Sequence, residues 1–356
     1  MIWRALALAL GLLAAAQALR SGHGGESQDL EVLSDLRQAD AMDLSAIDWS
    51  DLRSEDAIDM RCEDRGGPEC EEASIDPKDL WQRYEDFDER FAGAFREHFA
   101  AHERETYMIM AEAREILLVN NALTHLVDVQ NRTQADMMTT IVALDAKVQE
   151  LCQNYSLPLQ GRIDCVNLTG WMPENLLGNV SNCFGSAPYK LLVSMKPFLL
   201  YRALNASRFG VLSMDADVVV RDDLLGYVRN TSAVGHHVIM ASVESWTNRT
   251  NTAVIPTNRT NTGVFFAKRP AIPIIEAWSN LMARHDWGRL GDQAAFDFLR
   301  RNFPAVNKSV EPIPIELAAG GGWRRAAYAG HYNACGRTVA EKIANMKENG
   351  EWRGSE

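Results

Sequence analysis

Three scarcities narrow this 356-residue sequence before any motif is considered. None of the six cysteines, Cys62, Cys70, Cys152, Cys165, Cys183 and Cys335, has the paired short spacing of a zinc ribbon or finger. No concentrated basic stretch is present: 36 Lys and Arg stand against 48 Asp and Glu, for a net charge of -12. A partner with a phosphate backbone needs a basic face, so nucleic acid is excluded as a class. An apolar run of ~20 residues, the length a membrane-spanning helix requires, is also missing. The longest candidate, Ala5 to Ala16, is shorter and ends in Ala16-Gln17-Ala18, the small-x-small pattern that precedes signal-peptide cleavage. Residues 1–19 therefore read as a secretory targeting segment, with cleavage favoured over an uncleaved signal anchor.

What is present agrees with a lumenal setting. Nine Asn-x-Ser/Thr sequons occur, at Asn131, Asn154, Asn167, Asn179, Asn205, Asn230, Asn248, Asn258 and Asn307. In an oxidising compartment the cysteines read as disulfides, with Cys62–Cys70 and Cys152–Cys165 as the local pairings. The acidic excess is confined: residues 21 to 80 hold eighteen Asp and Glu against five Lys and Arg. That segment has few aromatics and cannot bury enough surface to order itself, so residues 20–76 are expected to be an acidic flexible stem. From Asp79 the pattern changes. Leu80, Tyr84, Phe87, Phe91, Phe95 and Phe99 recur at steps of three and four, placing aromatics on one face of a helix over 77–104. Such a face must pack, either on the following domain or against a second copy as a dimerising neck.

Beyond it, strand and helix patterns alternate. Tyr107–Ala111, Met138–Leu144, Ile163–Leu168, Phe209–Met214 and His237–Ser242 read as strands, and Asp145–Gln153 and Tyr189–Leu204 as helices. The alternation predicts an α/β domain over 105–353 with a doubly wound, mostly parallel sheet. In such sheets ligands bind beyond the carboxyl ends of the strands. Asp215-Ala216-Asp217 stands at one such end, where two carboxylates two residues apart can reach one hard cation and, through it, a diphosphate. The tripeptide alone is weak, because Asp86-Phe87-Asp88 repeats it on the aromatic helix, where residues two apart point to different sides. An exposed acidic turn, with Asp222 and Asp223 nearby, is the plain alternative.

Several further motifs follow in order. Phe184-Gly185-Ser186 through Lys196-Pro197 to Asp215-Ala216-Asp217-Val218-Val219, then Asn261-Thr262-Gly263-Val264-Phe265-Phe266, Gly291-Asp292-Gln293, and Gly330-His331-Tyr332-Asn333, resemble the nucleotide-diphospho-sugar transferases of glycosyltransferase family 77. The resemblance spans roughly residues 107 to 352, with Lys342 and Trp352 in its tail. It implies a GT-A type fold and a glycosyltransferase that moves a pentose or hexose from a nucleotide-diphosphate sugar, with a UDP-linked donor expected, to a glycan or glycoprotein, with retention. It implies that Asp215, Asp217 and His331 hold Mn²⁺ or Mg²⁺. Donor binding falls to Lys196, Asp215, Ala216, Asp217, Asn261, Thr262, Gly263 and Lys342, and catalysis to Asp292 and Gln293. A Golgi lumen is the expected location.

Each residue also has a plainer reading. Asp292 could cap its helix, His331 could be a loop histidine, Asn261–Gly263 could be a bulge in a core strand, and the two lysines could lie on solvated helix faces. The chain departs from the family pattern in the glycine-rich Gly320-Gly321-Gly322-Trp323 and in the hexapeptide Thr-Asn-Arg-Thr-Asn-Thr, which occurs at 247–252 and again at 257–262. Acceptor recognition is the property those departures touch. Two other functions compete: a lumenal sugar-binding protein that kept the fold without catalysis, and a stem-and-neck scaffold. The scaffold leaves the ordered motifs unexplained.

Overall fold

A computed structural model describes residues 77–156, 162–172, 187–235, 237–247, 254–284, 291–319, 326–332 and 338–354. The targeting segment, the stem, Cys62, Cys70, Cys183, Cys335, Phe184–Ser186, Gly320–Trp323 and Asn333 lie outside those residues.

The described chain opens with two helices, α1 (Pro77–Arg90) and α2 (Ala92–Ala100), and enters the sheet at β1 (Thr106–Ala111). Then come α3 (Ile116–Thr133), β2 (Met138–Ala143), α4 (Ala146–Ser156), β3 (Ile163–Asn167), α5 (Ala187–Ala206) and β4 (Val211–Met214). A turn leads to β5 (Val218–Val220), α6 (Leu224–Gly235), and the long pair β6 (Ile239–Thr247) and β7 (Val254–Ala267). The rest is α7 (Ile272–Arg284), α8 (Gly291–Asn302), α9 (Pro304–Ser309), β8 (Val310–Ile313), β9 (Ala318–Ala319), β10 (Ala329–His331) and α10 (Val339–Glu348).

The strands form one sheet in the order β3-β2-β1-β4-β7-β6-β9-β10-β5, with β8 paired to β6 off that path. Pairings β3–β2–β1–β4 and those of β6 with β8 and β9 are parallel, while β7 is antiparallel to both neighbours and β10 to β5. This is the doubly wound, mostly parallel α/β sheet that the strand–helix alternation predicts, and it agrees with the GT-A type fold that the family resemblance implies. The antiparallel β6–β7 hairpin was not read from the sequence.

Alternate strand residues face opposite sides, and each side carries its own core. Met108, Val142, Val211 and Phe265 join α1, α2, α5, α7 and α8 on one face. Tyr107, Ile141, Leu212 and Phe266 join α3, α4, α6 and Met346 of α10 on the other. The aromatic stripe of α1 and α2 belongs to the first core. Tyr84 stacks on Phe198 with ring centroids 3.9 Å apart, and Phe87 meets Phe198 and Trp171, both at 5.1 Å. Phe87, Phe95 and Phe99 are fully buried within the chain, so the face that could have served as a dimer contact is covered by α5 instead. Each such ring contributes roughly 1.5–3 kcal/mol by burial. Asp86 pairs with Arg90 one turn on and Asp88 with Arg202, so the second Asp-x-Asp indeed diverges on its helix.

Among the described cysteines one disulfide forms, Cys152–Cys165, joining α4 to β3 as the local spacing suggested. No helix among the described residues is long and apolar enough to cross a membrane.

Candidate active site

The acidic turn lies where β4 ends and β5 begins, and hydrogen bonds on three sides fix it. The Asp215 N–H donates to the Gly263 carbonyl at 3.0 Å, the Val218 N–H closes the turn on the Asp215 carbonyl at 3.2 Å, and the Tyr332 N–H donates to the Asp217 carbonyl at 3.0 Å. Ala216, between the two acidic residues, is buried. The turn is therefore a rigid mount shared by β4, β7 and the chain beyond β10.

His331, the last residue of β10, brings its ring to this turn. Its Nε2 stands 3.0 Å from Asp217 Oδ1 and 3.5 Å from Asp215 Oδ2, and one ligand atom from each of the three residues fits within 4.8 Å. Asn261 decides which ring nitrogen carries a proton. Its Oδ1 accepts the Gly263 N–H at 2.9 Å, which fixes the amide's orientation, and lies 2.8 Å from His331 Nδ1. Nδ1 then donates, which leaves Nε2 facing the two carboxylates. These three atoms lie close enough together to hold one cation. Two carboxylate oxygens and one imidazole nitrogen are a donor set that could hold a divalent ion, and the Asn261 contact orients the His331 ring.

Gly263 makes the approach of that ring feasible. A Cβ at this position would lie 2.1 Å from His331 Cε1. Asn261–Gly263 sits where the register between β6 and β7 slips, Ala241 pairing with Phe265 and Ser242 with Asn261. The core-bulge reading therefore holds, and the bulge re-aims the Asn261 side chain toward His331. Its Nδ2 is buried and makes no hydrogen bond among the described residues.

Two lysines balance the acids. Lys196 of α5 lies 2.6 Å from Asp215 Oδ1 and 3.5 Å from Asp292 Oδ2, and Lys342 of α10 lies 2.7 Å from Asp217 Oδ2. Neither sits on a solvated face. Burial pulls both ammonium groups down, but the carboxylates outweigh it and hold each above the usual lysine range, Asp215 acting first on Lys196 and Asp217 first on Lys342. Burial likewise pushes Asp217 up, while Lys342 and His331 overcome it and leave its carboxyl well below the usual range. The position of Lys342 is set by a capping box: Thr338 accepts the Glu341 N–H, and the Glu341 carboxylate accepts the Thr338 N–H.

Asp292 is no mere helix cap. Thr262 Oγ1 donates to its Oδ2 at 2.8 Å and Trp278 Nε1 donates to its carbonyl at 2.8 Å, so its carboxylate is drawn toward Lys196 and the turn. Burial raises its pKa and Lys196 opposes the rise. Gly291 begins α8 with φ of +49°, a left-handed conformation that glycine adopts without strain. Gln293 follows, half-buried, about 100° further round the helix.

Two neighbours escaped the sequence reading. Glu115 follows β1, and burial, with Glu112, Asp217 and Asp215 reinforcing it against Lys342, pushes its pKa up to about 8. Tyr189 stands seven residues before Lys196 on α5, so on the same face; burial first, then Asp292 and Asp215, raise its phenol well above the usual value. A strand-end rule applied to β1 as well as β4 would have found Glu115. His237 pairs with Glu311 at 3.0 Å.

The family model of the nucleotide-diphospho-sugar transferases matches residues 136–345, which contain every residue of this cluster except Glu115. No curated protein matches the chain. Among solved structures, mouse xyloside xylosyltransferase 1 in its apo form is 12% identical, with a TM-score of 0.42 over 61% of this chain and 87% of that one. The galactosyltransferase LgtC in complex with donor and acceptor sugar analogs is 13% identical, with a TM-score of 0.40 over 70% and 97%. Core-mannan synthase A from Aspergillus fumigatus in an Mn/GDP form is 8% identical, with a TM-score of 0.40 over 65% and 75%.

Proposed function

The chain belongs to the nucleotide-diphospho-sugar transferase family and is a glycosyltransferase, and from that premise we propose that it uses Mn²⁺ or Mg²⁺, held by Asp215, Asp217 and His331, to bind its donor. The observation that carries this reading is the convergence of two carboxylates and a tautomer-fixed imidazole within 4.8 Å. A divalent ion there supplies Lewis-acid stabilisation of the diphosphate as the bond to the sugar breaks.

The protein's own residues do the rest. Lys342 and Lys196, paired with Asp217 and Asp215, would present ammonium groups to the donor phosphates. Asn261 offers its unused amide N–H to the sugar, and Gly263 keeps the backbone close. Thr262 and Lys196 hold Asp292 beside the turn, from where it would act on the donor sugar together with Gln293. Retention of configuration, a UDP-linked donor and a glycan or glycoprotein acceptor complete the proposal.

A lumenal, Golgi-type location agrees with one surface feature. The sequon asparagines among the described residues with assigned exposure, Asn131, Asn154, Asn167, Asn205, Asn230 and Asn307, are all exposed. Expression through a secretory pathway should yield a glycosylated chain whose mass falls on enzymatic deglycosylation.

The decisive experiment screens nucleotide sugars with Mn²⁺ and follows release of nucleoside diphosphate. Turnover should need the metal and collapse by at least ~100-fold in Asp215→Asn and Asp217→Asn, the order of loss of one charge-stabilising group, with circular dichroism unchanged. Undiminished turnover in both folded variants would overturn the metal assignment. Glycan binding without any nucleotide diphosphate release would instead identify a sugar-binding protein.

A further inference from the structure

A second group of metal-ligating side chains lies away from the acidic turn. His98 is in the last turn of α2 and His102 follows four residues later; the chain is still wound there, with the Ala101 N–H bonded to the Glu97 carbonyl at 3.1 Å. The two rings therefore lie side by side, centroids 5.0 Å apart. Asp164 of β3, the edge strand, closes the group: its Oδ2 is 3.5 Å from His98 Nε2, and one ligand atom from each residue falls within 4.8 Å. β3 is three strands from β4, roughly 14 Å by strand spacing, and no residue is shared with the acidic turn.

The hydrogen bonding of this group is incomplete. His98 Nε2 and both ring nitrogens of His102 are buried and make no hydrogen bond among the described residues, and His102 is only 4% exposed. A buried polar atom left without a partner destabilises a fold and calls for an explanation. Burial disfavours the charged form of both rings, lowering the pKa of His102 to about 4 against the opposing pull of Asp164, and a neutral imidazole has one lone pair to give. Two imidazole nitrogens and one carboxylate oxygen are a donor set for a first-row transition ion rather than for Mg²⁺ or Ca²⁺. Bonds of about 2.0–2.1 Å in a tetrahedron put neighbouring ligands about 3.3 Å apart, close to the separation of His98 Nε2 and Asp164 Oδ2. The half-exposed Asp164 leaves a fourth position open to water.

We propose that His98, His102 and Asp164 bind a zinc-class ion that fastens α2 to the edge strand β3. The neighbouring disulfide gives the site its structural sense. Cys165 turns to the opposite face of β3 and is tied to Cys152 of α4, so the metal and the disulfide hold the two faces of one exposed strand.

The test uses the untagged full chain carrying Asp215→Asn and Asp217→Asn, which removes the two carboxylates of the other site. Purified metal-free and titrated with Zn²⁺, it should retain one equivalent through dialysis, and its unfolding temperature should rise with Zn²⁺ and fall again with chelator. Co²⁺ should produce the visible absorption of a tetrahedral site. Adding His98→Gln or Asp164→Asn should weaken zinc retention by more than roughly tenfold, since even an outer-shell change costs that much. Both are judged folded by their unfolding temperature in chelator. Absence of retained zinc in the Asp215→Asn/Asp217→Asn protein, or retention untouched by both further changes, overturns the proposal.

Discussion

At Gly263 the space a side chain would need is taken by the His331 imidazole, so the smallest substitution, Gly263→Ala, acts on the ring and not on the glycine's own conformation. The ring should be displaced, and with it the Nε2 that faces Asp215 and Asp217. A misplacement of about 1 Å costs on the order of 100-fold in rate. Mn²⁺-dependent donor turnover in Gly263→Ala should fall by that order, while overpacking costs about 1–3 kcal/mol in a urea melt. Glu115 and Asp217 respond to pH in opposite senses. Asp217, held below the usual carboxylate range, contributes stability that is present above the unfolded value and lost only on strong acidification. Glu115 rises from 4.5 to about 8 on folding, so between those values the folded protein keeps a proton the unfolded chain has released, and stability declines as pH rises. Glu115→Gln should flatten that decline in the metal-free protein, measured as unfolding temperature from about pH 5 to about pH 9. An unchanged slope would show that Glu115 ionises normally.

At the scale of elements, what matters is how strands and helices are tied. The Cys152–Cys165 bridge closes a short loop, with a sequence separation of 13, between α4 and the edge strand. Loops of that size carry about 3 kcal/mol of stabilisation. Replacing both cysteines by serine should lower the unfolding free energy by that order, read from denaturant midpoints at constant slope. The helix pair α1–α2 is tied by packing alone, with Phe87 at the meeting point of Phe95, Phe198 and Trp171. Phe87→Ala should cost about 3–5 kcal/mol, the penalty for emptying a buried aromatic site. A free-standing neck would lose almost nothing. The period of the aromatics predicted one helix over 77–104, which the structure divides into α1 and α2, and periodicity says only that a face must be covered. That α5 covers it follows from Tyr84 and Phe87 meeting Phe198, more than a hundred residues away.

Across the whole molecule, the sheet brings distant segments to one end of β4. Lys196, Asp215, Asn261, Asp292, His331 and Lys342 span most of the domain, yet meet within a few hydrogen bonds. The sequence by itself determined the strand–helix alternation, the strand end that carries Asp215 and Asp217, and the useless second Asp-x-Asp, because side-chain period and local spacing are properties of neighbouring residues. It also named the ordered motifs after residue 180, though only through their resemblance to a family. Only the tertiary structure decided that Asp292 turns to Lys196 and Thr262 instead of capping α8, that Asn261 fixes the His331 tautomer, and that Glu115 and Tyr189 join the cluster. The same holds for His98, His102 and Asp164, where a helix end meets an edge strand sixty residues later. Those facts depend on distances between strands that cross over one another, and on burial, which shifts a carboxyl or an imidazole without leaving any mark in the order of residues.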